Sequence, residues 1–341
     1  MPSSSSPSPP PWRDLFLAHL ATMDPPEFAL GTVRHHHRHA PTGRERRPSS
    51  SAVAALPPPY APRVRTCICR GLWAALDPDP RNDAPRNPAG VWESDLPTFT
   101  TDVRMDKVEE LWESAIDLDF RTTRGNDPSS PTTLKVGEEL WEEGLARMRG
   151  KGKGETVRGT GKSADERRKG SGGGAAVEAL FWARQPSVQW RMRGRAYVLA
   201  PDIESSPEGR EVVALLKSRM RRPRRAEDRN EKEEGEWSFA REITAHFGNL
   251  SPLMRGSFRN PPPGRPMTLS VDGGAPRLGQ PLDDLEDPVA RANFRVVVIV
   301  PDELDQTDLS DPERPRRWIH TYVGAGYGKG PGEWETVEVW P

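Results

Sequence analysis

The stretch VEALFWARQPSVQWRMRGRAYVLA, residues 177–200, decides the fold class. Two strand-like runs, VEALFWA (177–183) and VQWRMRGRAYVLA (188–200), flank a short turn at Gln185-Pro186-Ser187. Runs of this kind joined by so few residues read as a β-hairpin. Downstream, FRVVVIV (294–300), DQTDLS (305–310), RRWIHTYV (316–323) and WETVEVW (334–340) read as three or four more strands separated by Pro, Gly and Asp turns. Upstream, EFALGTVR (27–34) and RVRTCICRGLW (63–73) read as two further strands, the second rich in β-branched and thiol residues.

Helical spacing punctuates these strands. Trp12, Leu15, Phe16, Leu20 and Met23 recur on one face of WRDLFLAHLATM, and Met105, Val108, Leu111, Trp112 and Ala115 on one face of MDKVEELWESA. REVVALLKSRM (210–220) reads as a helix, as does WSFAREITAHF (237–247), where Trp237, Ala240, Ile243 and Phe247 align. Six to eight antiparallel strands with three to five helices at their margins predict a mainly β protein built as a small closed barrel, not an alternating α/β sheet.

The apolar residues, 34% of the 341, are bunched into these segments, and 37 prolines and 30 glycines leave much of the chain without regular structure. The reading is a disordered tail at 1–11 and a single domain from 12 to 341, with low-complexity inserts at about 35–56, 120–175 and 221–235. Lys and Arg total 49 against 50 Asp and Glu, which removes the global electrostatic reason for a nucleic-acid or membrane partner. No stretch approaches 18 apolar residues, and the start, MPSSSSPSPPP, lacks the order of a signal peptide. A soluble cytoplasmic protein is the expectation. Cys67 and Cys69 fit no common zinc or redox spacing and are expected as buried thiols.

Two motif-like runs read as solvated insert. The stretch HHHRHAPTGRERRPSSS (35–51) has no carboxylate-and-thiol shell for a metal, and GTGKS (159–163) lacks the strand and spacing of a phosphate loop. The chemistry sits elsewhere. Arg65 and Arg70 lie five apart on one strand and face opposite sides unless a bulge intervenes. Thr100 and Thr101 precede Arg104 and Lys107 at a strand-to-helix junction. That junction reads equally as a phosphate site or as a capped helix with its cations in solvent.

In this order the features resemble the pyridoxamine 5'-phosphate oxidase-like FMN-binding split-barrel family, specifically its larger members with long inserts. The family's strand motif is Arg, four residues, Lys, matched by Arg65 and Arg70; its next block, Phe, aromatic, Thr, then Arg-Lys, is met by Phe99-Thr100-Thr101 and Asp106-Lys107. Lys107 carries over, Asp106 departs, and Arg104 stands one helical turn earlier. Gln189-Trp-Arg-Met-Arg-Gly194 matches a third block and would place the Gln189 amide at the polar edge of the flavin ring. Arg255 and Ser257, in NLSPLMRGSFRNPPPG, stand as phosphate or ribityl contacts if the segment faces the flavin; the Pro-rich end reads equally as a rigid turn. Arg316 or Arg317 would supply the flavin-contacting arginine, with Arg317 preferred. Thr307 occupies the position of the family's flavin-packing Trp, and the family's Arg-x-His triplet is absent. His320 reads as a structural side chain before a base.

The resemblance implies FMN at the interface of a homodimer, with its phosphate held by Arg65, Arg70, Thr101 and Lys107. It implies an oxidase of pyridoxamine or pyridoxine 5'-phosphate or a related small molecule, without a protein acid or base. A reductase of another substrate and a non-enzymatic flavin- or haem-binding barrel are the alternatives on the same fold.

Overall fold

The computed structural model describes residues 8–35, 60–112, 169–223, 237–267, 278–324 and 333–341. The histidine-rich stretch from 36, the GTGKS fragment and residues 224–236 of the charged insert lie outside these. Ten strands are described: β1 (Glu27–His35), β2 (Tyr60–Ile68), β3 (Glu93–Ser94), β4 (Thr98–Asp102), β5 (Gly172–Ala183), β6 (Val188–Leu199), β7 (Met220–Arg221), β8 (Phe294–Asp308), β9 (Arg316–Tyr322) and β10 (Trp334–Val339). Among the described residues the helices are α1 (Arg13–Ala21), α2 (Asp106–Trp112), α3 (Pro207–Ser218), α4 (Phe239–Gly248), α5 (Pro252–Ser257) and α6 (Pro288–Asn293). That is one more than the upper bound read from the sequence, because α5 and α6 are helices of only six residues begun by Pro behind the caps Ser251 and Asp287.

All strands but β3 and β7 form one sheet in the order β10-β9-β8-β6-β5-β1-β2, with β4 on the free half of β8. Every pairing is antiparallel. The sheet then closes. Beyond β2 the chain turns at Gly71, and Arg70 N donates to Thr98 O (2.7 Å), Thr98 N to Gly71 O (2.9 Å) and Trp73 N to Leu96 O (2.8 Å). The cylinder β2-β1-β5-β6-β8-β4 is thus completed by a short seam at one end of β2 and β4, the arrangement of a split barrel.

Alternation assigns the faces. Phe28, Leu30, Phe181, Trp190, Met192, Val297 and Ile299 point inward into one core. Trp12, just before α1, and Phe16 of α1 join it by edge contacts to Trp334, Phe181 and Trp190. Leu15, placed on the same face by the sequence reading, is instead 44% exposed. The alternate residues Val296, Val298 and Val300 turn outward into a second core with Trp73, Phe239, Ile243 and Phe247 from the helical side. Val296–Val300 is continuously apolar because both faces of this half of β8 are covered.

Three sequence boundaries are corrected. DQTD is the end of the 15-residue β8 rather than a separate strand; Pro301 is accommodated at a bulge where Gly194 pairs with Pro301 after Arg193 pairs with Glu303. A Cβ on Gly194 would collide with the Val300 carbonyl, so that glycine lets the two backbones approach. The triple glycine 172–174, read as linker, is the start of β5; a Cβ on Gly172 would enter the indole of Trp112. Arg221, read as the start of a solvated insert, is 4% exposed and pairs with Asp95 and with Glu93 (2.7 Å).

Candidate functional site

α2 packs against β5 and β1, and its inner side carries a carboxylate into the fold. Glu110 has a fully buried side chain. Its Oε2 accepts from Arg65 Nη2 (2.5 Å) and from Thr32 Oγ1 (2.5 Å), while the Thr32 oxygen accepts from Arg65 Nη1 (2.5 Å). Arg65 is paired with Leu30 across the strands and so shares its inward face. The sequence reading did not single out Glu110; its one signal was the place between Val108 and Leu111 on a short helix.

Lys107 is one turn earlier on α2, within electrostatic reach of Cys67, Arg65, Glu110 and Asp102. Burial lowers its pKa and the Arg65 charge pushes the same way, against Cys67 and the two carboxylates. Among the described residues its ammonium makes no ion pair or hydrogen bond. Cys67 is a free, buried thiol whose pKa burial raises, and Cys69 is likewise free and pushed up to about 11 by burial. Both match the expectation of buried thiols.

The other residues singled out in the sequence fall into separate places. Arg70 faces away from this cluster toward a cavity of about 410 Å3. Burial lowers its pKa, and its buried Nε has no acceptor. Thr101 is buried, its hydroxyl 3.6 Å from the Met105 sulfur, and Thr100 pairs with Val296 on the face toward the second core. Arg104 is spent within the fold: Nε and Nη2 donate to Asp102 (2.9 and 2.6 Å), Nη1 to Asn260 O (2.8 Å). Arg255 is 7% exposed and donates to the carbonyls of Leu282 (2.8 Å), Gly248 (3.0 Å) and Leu250 (2.8 Å). The Ser257 hydroxyl donates to Met254 O (2.7 Å).

Gln189 and Arg317 sit on the outer face, in one cross-strand row with Trp182 and Thr307. Arg317 grips Asp305 through Nε (2.9 Å) and Nη2 (2.8 Å), and Arg191 holds the same carboxylate. Burial raises the Asp305 pKa, but the hydrogen bonds from Arg317 and Arg191 outweigh it and hold the group below the usual range. The Gln189 amide is uncommitted among the described residues. His320 is inward, its Nδ1 2.9 Å from the Thr336 hydroxyl, and burial pushes its pKa down to about 4. It is a neutral core side chain, as the sequence reading favoured.

Helix α1, strands β1–β4 and α2 form a contiguous stretch of chain apart from residues 36–59, and they carry the Arg65, Arg70 and Lys107 cations. Residues 9–126 match the family model of the pyridoxamine 5'-phosphate oxidase FMN-binding domain. The FMN-binding-domain match therefore holds Arg65, Arg70, Thr100, Thr101, Arg104 and Lys107, and leaves Gln189, Arg255, Ser257 and Arg317 beyond it. No curated protein matches the chain. Among solved structures it is similar to a pyridoxamine 5'-phosphate oxidase-related, FMN-binding protein from Nostoc punctiforme, at 15% identity and a TM-score of 0.44 over 98% of this chain and 100% of the other. It is also similar to PhzG from Burkholderia lata, in complex with tetrahydrophenazine-1-carboxylic acid, at 12% identity and a TM-score of 0.34 over 100% and 97%.

Among the described residues no group of three or more His, Cys, Asp or Glu side chains is placed to hold a metal ion. No helix among them is long and apolar enough to cross a membrane.

Proposed function

We propose that the chain is an FMN-binding oxidoreductase of a small molecule. The observation that carries this is Lys107, a half-buried ammonium beside Arg65 with no anion of its own, within the segment that matches the FMN-binding domain. A phosphate dianion there offsets the cost of burial and the repulsion from Arg65 together. Arg65 is held in place by Glu110 and Thr32, so its donors are oriented before a ligand arrives. FMN, when bound, supplies the redox chemistry: it takes a hydride from substrate and returns electrons to an acceptor such as dioxygen. The protein residues bind and orient, and no acid or base is required of them.

The uncommitted Gln189 amide lies on the opposite face of the sheet from Arg65, so one copy of the chain does not present both to one flavin. A homodimer packed on the outer face brings the Gln189 rows of two copies together. Val64, 73% exposed, and Trp182, 40% exposed, lie on this face and give it apolar surface. Trp182→Glu is expected to convert a dimer to a monomer in light scattering; a wild-type monomer at micromolar concentration would refute this arrangement. The free thiols suit a reducing compartment such as the cytoplasm.

The cavity beside Arg70 receives the substrate in this reading. Thr307 at the position of the family's Trp, and the absence of its Arg-x-His triplet, favour a substrate other than the vitamin, so the reductase stands as the second reading. The test is an absorbance spectrum after soaking with FMN and desalting. Retained flavin bands are expected, and Lys107→Gln is expected to weaken FMN about tenfold or more. Absence of flavin uptake would overturn the proposal. Bands that bleach anaerobically with pyridoxamine 5'-phosphate and recover in air would assign the oxidase; bands indifferent to it would leave the reductase.

A further inference from the structure

We propose that Lys107 of the flavin-free chain is a modification site for dissolved carbon dioxide, which converts its amine to a carbamate that takes the place of the flavin phosphate. This deepens the preceding proposal and rests on its reading of Lys107 as a phosphate-binding residue.

The charges beneath α2 do not balance. Arg65 Nη2 donates to Glu110 Oε2 at 2.5 Å, Arg63 Nε lies 3.7 Å from Oε1, and Lys107 is within electrostatic reach of the same carboxylate. Asp102, the other carboxylate in reach of Lys107, is taken at both oxygens by Arg104 (2.9 and 2.6 Å). Three cationic side chains thus share one carboxylate. Glu110 carries a second anomaly. Its side chain is fully buried, yet Oε1 accepts no hydrogen bond among the described residues. A buried carboxylate oxygen without a donor keeps its whole cost of desolvation.

One small group answers both. Burial, and after it the Arg65 charge, favours the neutral amine of Lys107 over the ammonium. A desolvated amine beside another cation is a nucleophile. Its Nζ lone pair forms a C–N bond to the carbon of CO2, a C=O π pair moves onto oxygen, and one amine proton leaves to solvent. Nothing is oxidised or reduced. A cation has become an anion, so Arg63 and Arg65 now face Glu110 and the carbamate, two charges against two. The carbamate oxygens meet the donors that Arg65 does not spend on Thr32 and Glu110. Its N–H is a donor for the orphaned Glu110 Oε1, three residues along the same helix. Cys67, also in reach, is a buried thiol whose raised pKa keeps it neutral, so it adds no competing charge. The flavin phosphate needs the ammonium and the carbamate consumes it. The two exclude each other, and carbon dioxide thereby regulates flavin loading.

The full flavin-free chain is equilibrated with isotopically labelled bicarbonate at constant pH and ionic strength. Carbon NMR is expected to show a carbamate resonance that Lys107→Arg lacks and that excess FMN removes. Trapping the carbamate by O-alkylation, followed by peptide mass spectrometry, places it on Lys107 without a variant. Flavin fluorescence titrations are expected to show FMN bound about threefold more weakly in bicarbonate than in CO2-free buffer, because roughly two-thirds of the chain is then blocked. In Lys107→Arg the two buffers are expected to give equal affinities. No adduct on Lys107, a resonance that survives saturating FMN, or a wild-type affinity indifferent to bicarbonate overturns the inference. Flavin uptake without the adduct sinks the inference alone. The adduct in a chain that takes up no flavin sinks the FMN reading and leaves the carbamate.

Discussion

Acidification from pH 7 to pH 5 is expected to cost the folded state about 2 kcal/mol through His246 alone. This imidazole is fully buried on α4, stacked on Trp73 at 5.8 Å and 7°, and burial, helped by the Arg70 charge, pushes its pKa down to about 3. In the unfolded chain the same group takes a proton near pH 6.5. Between those values the unfolded state binds more protons than the folded one, so stability falls as the pH falls through that window. Each unit below 6.5 costs about 1.4 kcal/mol, and the whole window about 5 kcal/mol. His320, pushed down to about 4, and His19, lowered by burial, act in the same direction. His19 also loses its acceptor role toward the Trp190 indole N–H (3.1 Å) when protonated. Glu242 works the other way: burial raises its pKa, so the protonated form favours the fold as acid is added. Urea midpoints at pH 7.5 and pH 5 measure the balance, and His246→Phe is expected to flatten the difference by about 2 kcal/mol. A His246→Phe protein with the same pH dependence as wild type would show that His246 does not stay neutral in the fold.

Replacing Glu110 by Ala is expected to lower the unfolding free energy by about 3–5 kcal/mol, because it leaves Arg65 charged beneath α2 without its partner. The carboxylate is the fully buried member of the pair and also anchors Thr32, so a single truncation strands two donors. The loss belongs to the unpaired charge rather than to the worth of the pair. A double replacement, Arg65→Met with Glu110→Leu, is therefore expected to recover most of the stability while abolishing tight FMN binding. Denaturant melts of the three variants decide this. A Glu110→Ala protein as stable as wild type would show that water reaches Arg65 freely.

The fold was legible where a residue's face is set by alternation and obscure where it is set by a neighbour. The 177–200 hairpin, β1 and the apolar half of β8 follow from strand periodicity alone. Gly172–Gly174 misled because glycine has the same signature in a flexible linker as in a strand pressed against an indole. Pro301 suggested a strand end because the bulge opposite Gly194 that absorbs it depends on a partner strand more than 100 positions away in sequence. For the candidate site, Lys107 and Arg65 stood out from the motif order, and the structure places them together. Glu110 and the capture of Arg104 and Arg255 by backbone carbonyls did not stand out. A sequence shows that a guanidinium is present but not that folded-chain oxygens already fill its donors.

The seam that closes the barrel has a mechanical consequence. Elsewhere along the cylinder ladders of four or more paired residues share any load, but between β2 and β4 the load falls on the bonds around Arg70, Gly71, Trp73, Leu96 and Thr98. A cylinder fastened by so short a clasp breathes there first, and the amides of Arg70 and Thr98 should exchange with deuterium sooner than those buried in the β6–β8 ladder. Arg70 rides on the clasp itself, so each opening carries the cavity's cation with it, and a ligand gripping that cation would latch the barrel shut.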